Sequence, residues 1–149
     1  MQVFIVGTPL ETAMALDKRR LNKQIVECMQ ILDALNGAKA WSNHPCTLQY
    51  RGYEEWLRLY KRCLESFVEY EEYGTDGAKD NIRVYNHTCF LMTPPFHTEE
   101  YFNQMKRRLY TKDPVHYAQW ADLGTSEVNW YWSQRENKFI KYRNGKRID

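Results

Sequence analysis

No run of about eighteen apolar residues occurs in the 149-residue chain, so no segment of it can cross a membrane as a helix. The first residues, MQVFIVGTPLET, lack the basic start and the length of a secretory signal. Cysteine is scarce, at four, and none of the C-x2-C pairs that mark structural zinc is present. The nearest approach to a ligand set is two His-x-Cys pairs, His44-Pro-Cys46 and His87-Thr-Cys89. Cys28 and Cys63 fall instead on apolar helical stripes. The expectation is a cytoplasmic protein with buried, reduced thiols, no metal and no cofactor. The seven glycines form no phosphate-cradling loop, and neither a H-E-x-x-H zinc helix nor a G-x-S-x-G nucleophile elbow occurs. Nor is charge of one sign dominant: the formal net charge is +2, too small for a global field to demand a polyanionic partner.

What the chain does hold is rings and segregated charge. Aromatics make up 15% of the residues, with eleven Tyr and five Trp. Such rings fill cores, and they also stack on bases. Basic residues cluster at Lys18–Lys23, at Lys106-Arg107-Arg108 with Lys112, and in the acid-free stretch KFIKYRNGKR, while acids gather around 65–72 and 99–100. That separation points weakly toward a polyanion.

Local signals give a mostly α fold: a compact single domain over 1–149 with two long helices, several short ones and an extended N-terminal arm. Val3–Val6 is the arm or a brief strand. Thr8-Pro9-Leu10-Glu11 is a capping box with proline at the first helical position. A long helix runs from about Asp17 to Leu35, its buried stripe being Leu21, Ile25, Cys28, Leu32 and Leu35, and Asn36-Gly37 ends it. A second runs from Tyr53 to Gly74. Residues 75–81 are expected as a loop and 82–92 as a short helix or irregular segment. Thr98 caps a third helix reaching about Tyr110. A short helix follows from Asp113-Pro114 through Trp120, and 130–149 is a basic, aromatic segment without a clear period.

Three groups of residues could carry chemistry. The first is the polar side of the first long helix, with Arg19, Arg20, Lys23 and Gln24 around one acid, Glu27. By spacing alone Glu27 is an i,i+4 partner of Lys23. Its cationic neighbours would also hold it ionised and grip phosphates on either side. The second is the connector SNHPCTLQYRGYEEW, where Asn43, His44, Gln49, Tyr50 and Arg51 offer donors, an imidazole and a ring. The plainer reading has His44-Pro45 capping the next helix and Arg51 pairing with Glu54 or Glu55. The third is 128–147, where Trp130, Tyr131, Trp132, Phe139 and Tyr142 are interleaved with cations. These suit a nucleic-acid surface, or simply anchor a terminal segment to the core.

Three blocks in order, LDKRRLNKQIVECMQIL, NHPCTLQYRGYEEWL and PPFHTEEYFNQMKRRLYTKDPVHYAQW, resemble the pyrimidine-dimer DNA glycosylase family of the phage endonuclease V type, above all its small bacterial and phage relatives. The resemblance implies a compact helical fold and DNA repair on damaged double-stranded DNA by a monomer. An N-terminal α-amine attacks C1′ of the damaged nucleotide and forms a Schiff base, with possible AP-lyase cleavage. A glutamate on the first long helix stabilises the cationic sugar. Aligned on Leu21, that glutamate is Glu27. Gln2 is bulky enough to retain Met1, which makes the Met1 amine the nucleophile, or a lysine such as Lys23. Val26 stands where the family has an arginine, and Arg20 can cover the same phosphate. Arg19, Arg20, Lys23, Gln24, Asn43, His44, Tyr50 and Arg51 are then the DNA-binding residues. Two other readings remain open: a non-catalytic nucleic-acid-binding module of the same fold, and a helical protein–protein adaptor.

Overall fold

The computed structural model describes all residues, 1–149. Its N-terminal arm is extended and inserted, with Val3 and Ile5 wholly buried. The arm ends at Gly7, and α1 (Pro9–Ala15) starts with the capping box: Thr8 Oγ1 accepts from Glu11 N–H, and Glu11 Oε1 accepts from Thr8 N–H. Asp17 caps α2 (Lys18–Leu35), its carboxylate accepting from Arg20 N–H. A turn leads to the five-residue α3 (Pro45–Gln49), capped by His44. The longest helix, α4 (Glu54–Tyr73), ends at Gly74, whose φ of 63° is the left-handed cap. Then come α5 (Asp76–Leu91), α6 (Glu99–Lys112) capped by Thr98, and a 3-10 helix, Ala118–Leu123. An antiparallel sheet closes the chain in the order β1 (Asn129–Ser133), β2 (Lys138–Arg143), β3 (Lys146–Arg147).

Four expectations need correction. Residues 75–81 are not a loop but the start of α5, which continues unbroken to Leu91. Thr75 caps it by accepting from Ala78 N–H, and a narrow stripe of Ala78, Ile82 and Cys89 suffices to hold it on α4. The buried stripe of α2 is turned from the apolar one, comprising Leu21, Gln24, Cys28, Ile31 and Ala34, while Ile25, Leu32 and Leu35 are half-buried. The helix turns this way because Gln24 is needed inward, as described below. After Asp113 there is one turn, closed by Tyr117 N–H to Asp113 O, before the 3-10 helix; Tyr117 is wholly buried and its hydroxyl donates to Asp17. Finally, the segment without a clear period, 130–149, carries a three-stranded sheet that spans Asn129–Arg147. Tyr131 and Ile140 pair across β1 and β2 and point inward, with the neighbouring rings half-buried on either side.

Between the helices and the sheet lies an aromatic core. Tyr50 stacks on Trp56 and Trp56 on Tyr60, with centroids 5.7 and 5.1 Å apart, and His97 stacks on Tyr101. Phe96 and Tyr101 carry the packing onto Trp132 and Phe139 of the sheet. His97 is buried among these rings, with Nε2 2.8 Å from the Tyr50 hydroxyl, and burial lowers its pKa to about 3. An unfolded chain takes up that proton near pH 6.5, so stability is full above this value and declines as pH falls toward 3. The expected slope is at most about 1.4 kcal/mol per pH unit. Denaturant melts between pH 7 and 4 measure it, and His97→Phe should flatten that part of the profile.

Candidate active site at the N-terminal arm

The arm runs along α2 and is bonded to it through two side chains. Gln24 is 1% exposed and uses both ends of its amide. Its Oε1 accepts from Phe4 N–H at 2.6 Å and from the Tyr60 hydroxyl at 3.1 Å. Its Nε2 donates to Gln2 O at 2.9 Å and reaches Glu27 Oε2 at 3.5 Å. One turn along, Glu27 Oε2 accepts from Gln2 N–H at 3.3 Å. Gln2 itself is buried, its Nε2 directed to Trp130 O at 3.3 Å and Met105 Sδ at 3.5 Å. From the sheet, the Tyr131 hydroxyl donates to Met1 O at 3.0 Å. The first two residues are thus fixed by α2 on one side and β1 on the other.

Gln24 is therefore an anchor of the arm, buried away from any DNA. Gln24→Ala strands the Phe4 and Tyr60 donors and the Gln2 carbonyl inside the protein. The expected loss is about 2–4 kcal/mol of stability, read by urea denaturation.

The Met1 amine has no carboxylate within 4.0 Å, because it lies one residue beyond the Gln2–Glu27 bond. Its positive charge is felt by His44 and Cys46. The His44 pKa is lowered by burial and then by the positive charge of the amine. His44 Nδ1 accepts from Cys46 N–H at 3.1 Å as the α3 cap, which fixes the neutral ring with its proton on Nε2. The His44 ring meets the edges of Tyr131 and Trp41, each centroid 5.7 Å away. Beneath lies Cys46, whose thiol burial pushes up to about 12 while the amine and Glu27 act on it with opposite signs. That thiol stays protonated and is no nucleophile.

Glu27 keeps 13% of its side-chain surface exposed and has Lys23 Nζ 4.0 Å from Oε1, so the spacing-based pair exists. The pair is part of a wider cationic surface. Burial lowers the Lys112 pKa, and the charges of Arg108, Arg20 and Lys23 lower it further, which joins α2 and α6 in one positive field. A backbone phosphate beside Glu27 would meet this field.

Met1, Lys23, Gln24, Glu27 and His44 are brought together. Arg19, Asn43 and Arg51 lie exposed with no side-chain hydrogen bond or salt bridge, and Arg51 does not pair with Glu54 or Glu55, which bond to Gly52 N–H and Arg58. Arg20 is bound to Asp17 at 3.1 Å and lies over the Tyr117 ring, so it shapes the field more than it grips. Tyr50 departs from expectation: it is fully buried, bonded to His97 and stacked on Trp56, so its ring cannot meet a base. Tyr131 takes the anchoring role of the two weighed for its segment, and its bond to Met1, 130 residues away, was not foreseen. The two His-x-Cys pairs do not converge, and no three metal-capable side chains cluster. A concavity of about 1320 Å³ lined by α1, the start of α2, α4 and α5 contains none of these residues.

The arm, the Glu27 carboxylate and the cations around it thus form one surface on a mostly helical domain. The sequence profile of the pyrimidine dimer DNA glycosylase family matches residues 1–81, which span the arm, α1 to α4 and the start of α5. The chain belongs to that family. No curated protein and no solved structure matches it.

Proposed function

We propose that this chain, acting as a single 149-residue unit and as a monomer, removes damaged pyrimidines from double-stranded DNA through its own α-amine. The observation that carries the proposal is the bond from Gln2 N–H to Glu27 Oε2, which holds the chain start against the one carboxylate of the basic α2 surface. The neutral Met1 amine attacks C1′ of the damaged nucleotide. The C1′–N1 bond breaks, its electron pair leaves with the base, and the base gains the proton that the attacking nitrogen gives up. Opening of the sugar ring yields the Schiff base, and loss of a C2′ proton then expels the 3′ phosphate, which is the AP-lyase step. Glu27 opposes the positive charge that develops at the sugar and can carry these protons.

Lys23, Arg19 and Lys112 are exposed and free to meet phosphates, while Asn43, His44 and Arg51 border the same connector. One observation favours a second choice of nucleophile. Lys23 Nζ is itself 4.0 Å from Glu27 Oε1, on a side chain 72% exposed.

The test is cleavage of the C1′–N1 bond in ultraviolet-irradiated duplex, read as free pyrimidine after photoreversal of the dimer, since the cut base stays joined to its neighbour until then, and run beside borohydride trapping on abasic duplex. Pyrimidine freed by photoreversal together with a trapped covalent complex supports the proposal. Binding with neither product returns the non-catalytic nucleic-acid module. Failure to bind DNA at low salt, where phosphate contacts are strongest, favours the adaptor.

A further inference from the structure

Base loss needs more than a nucleophile and a carboxylate. When the C1′–N1 bond breaks, its electron pair stays with the pyrimidine, and the negative charge spreads from N1 onto the neighbouring O2. Glu27 suits the cationic sugar but can only repel that charge. A hydrogen-bond donor on the base side would stabilise it. Most donors near the arm are already spent: the Tyr131 hydroxyl on Met1 O, Gln24 Nε2 on Gln2 O, and Gln2 Nε2 on Trp130 O. Lys23 stands beside Glu27, on the sugar side. His44 is what remains. Its Nδ1 accepts from Cys46 N–H, so its proton is on Nε2, and that N–H makes no hydrogen bond within the protein. The half-buried ring stands edge-on to both Tyr131 and Trp41, which fixes its direction. Tyr131 in turn holds Met1 O, and the Cys46 thiol feels both the amine and Glu27. A fixed, uncharged and unpartnered donor thus sits one ring away from the nucleophile.

We infer that His44 is a further catalytic residue of base loss, its Nε2–H donating to the pyrimidine O2 as the C1′–N1 bond breaks. The inference rests on the glycosylase reading, since without it no base leaves. O2 suits the place: the C2 carbonyl adjoins N1, damage at the C5–C6 edge leaves it intact, and in a stacked pair it lies in the minor groove. The donor gives no proton away. With Nδ1 holding the α3 cap, the ring is neutral before and after the step, and the proton gained by the base is still the one the amine gives up.

Single-turnover kinetics at saturating full-length protein follow two reactions. One is C1′–N1 cleavage in ultraviolet-irradiated duplex, read after photoreversal; the other is borohydride trapping on abasic duplex, where no base leaves. His44→Asn and His44→Ser keep an oxygen that accepts from Cys46 N–H, so the α3 cap survives, but they carry no donor as far out as Nε2. Each should slow C1′–N1 cleavage about 10²- to 10³-fold more than it slows trapping, the loss of one transition-state donor. His44→Gln reverses the trade. Its amide N–H extends to the place of Nε2 while the cap is lost, so it should cleave faster than His44→Asn and yet melt lower. Three results overturn the inference: equal slowing of both reactions, which moves His44 to the amine or the phosphates; cleavage by His44→Asn at the wild-type rate; or cleavage rates that follow the melting order of the variants. Wild type that traps abasic duplex but cleaves no lesion removes this role and leaves the nucleophile standing. Wild type that does neither removes the reading on which the role rests.

Discussion

Acetylating the Met1 amine is expected to abolish borohydride trapping on abasic duplex and base release from damaged duplex, while DNA affinity changes by a few fold at most. An amide nitrogen has no lone pair to give to C1′, so the chemical step is lost completely, whereas one cation fewer alters only part of a phosphate-binding field. Moving the amine instead of removing it makes the same point geometrically. A single added residue displaces it by about 3.8 Å, beyond the position set by the Tyr131 bond to Met1 O and the Glu27 bond to Gln2 N–H. A misplacement of even about 1 Å can cost a hundredfold in rate, so the extended protein should trap at least that much more slowly. Gel-resolved covalent complexes measure both variants. Trapping by the acetylated protein at the wild-type rate would transfer the nucleophile to a lysine.

Glu27→Gln comes next in expected size. The amide oxygen can still accept from Gln2 N–H, so the arm stays docked and the fold is retained. What disappears is the negative charge facing the developing sugar cation and the ability to carry a proton, worth together about 10²- to 10⁴-fold in turnover. Removing an acid from a cationic surface should leave DNA affinity equal or slightly higher. Single-turnover kinetics with a parallel binding titration separates the two effects. Unchanged turnover would reduce Glu27 to the partner of Lys23 that its spacing suggests.

How much of this was legible in the sequence depended on how far apart the partners lie. Thr8 and Thr98 cap the helices they were expected to cap, because a cap and its N–H donor are three residues apart and the signal is local. Helix α5 escaped because Gly77 and a polar first turn read as a loop, while its stripe of Ala78, Ile82 and Cys89 is too narrow to give a strong period. The sheet did leave a signal: Asn144-Gly145, both at positive φ, joins β2 to β3 and is a hairpin turn by residue type alone. The aromatic character of NWYWS and KFIKYR hid it, since rings on both faces are partly buried and the alternation is lost.

The site was half legible for the same reason. Glu27 was found through an ordered resemblance, and the arm through its apolar run. Gln24 was put on the wrong side of α2, since nothing local announces that a glutamine will bridge Phe4, Gln2 and Tyr60. Tyr50 exchanged a DNA-facing role for one in the core because its partner His97 lies 47 residues on.

The central claim is that the start of this chain is its nucleophile. Peptide mapping by mass spectrometry of the borohydride-reduced complex tests it most directly. The account predicts that the deoxyribose adduct is found on the α-nitrogen of the peptide beginning at Met1. An adduct on Lys23, or no adduct from a protein that still cleaves the C1′–N1 bond of the lesion, would contradict it.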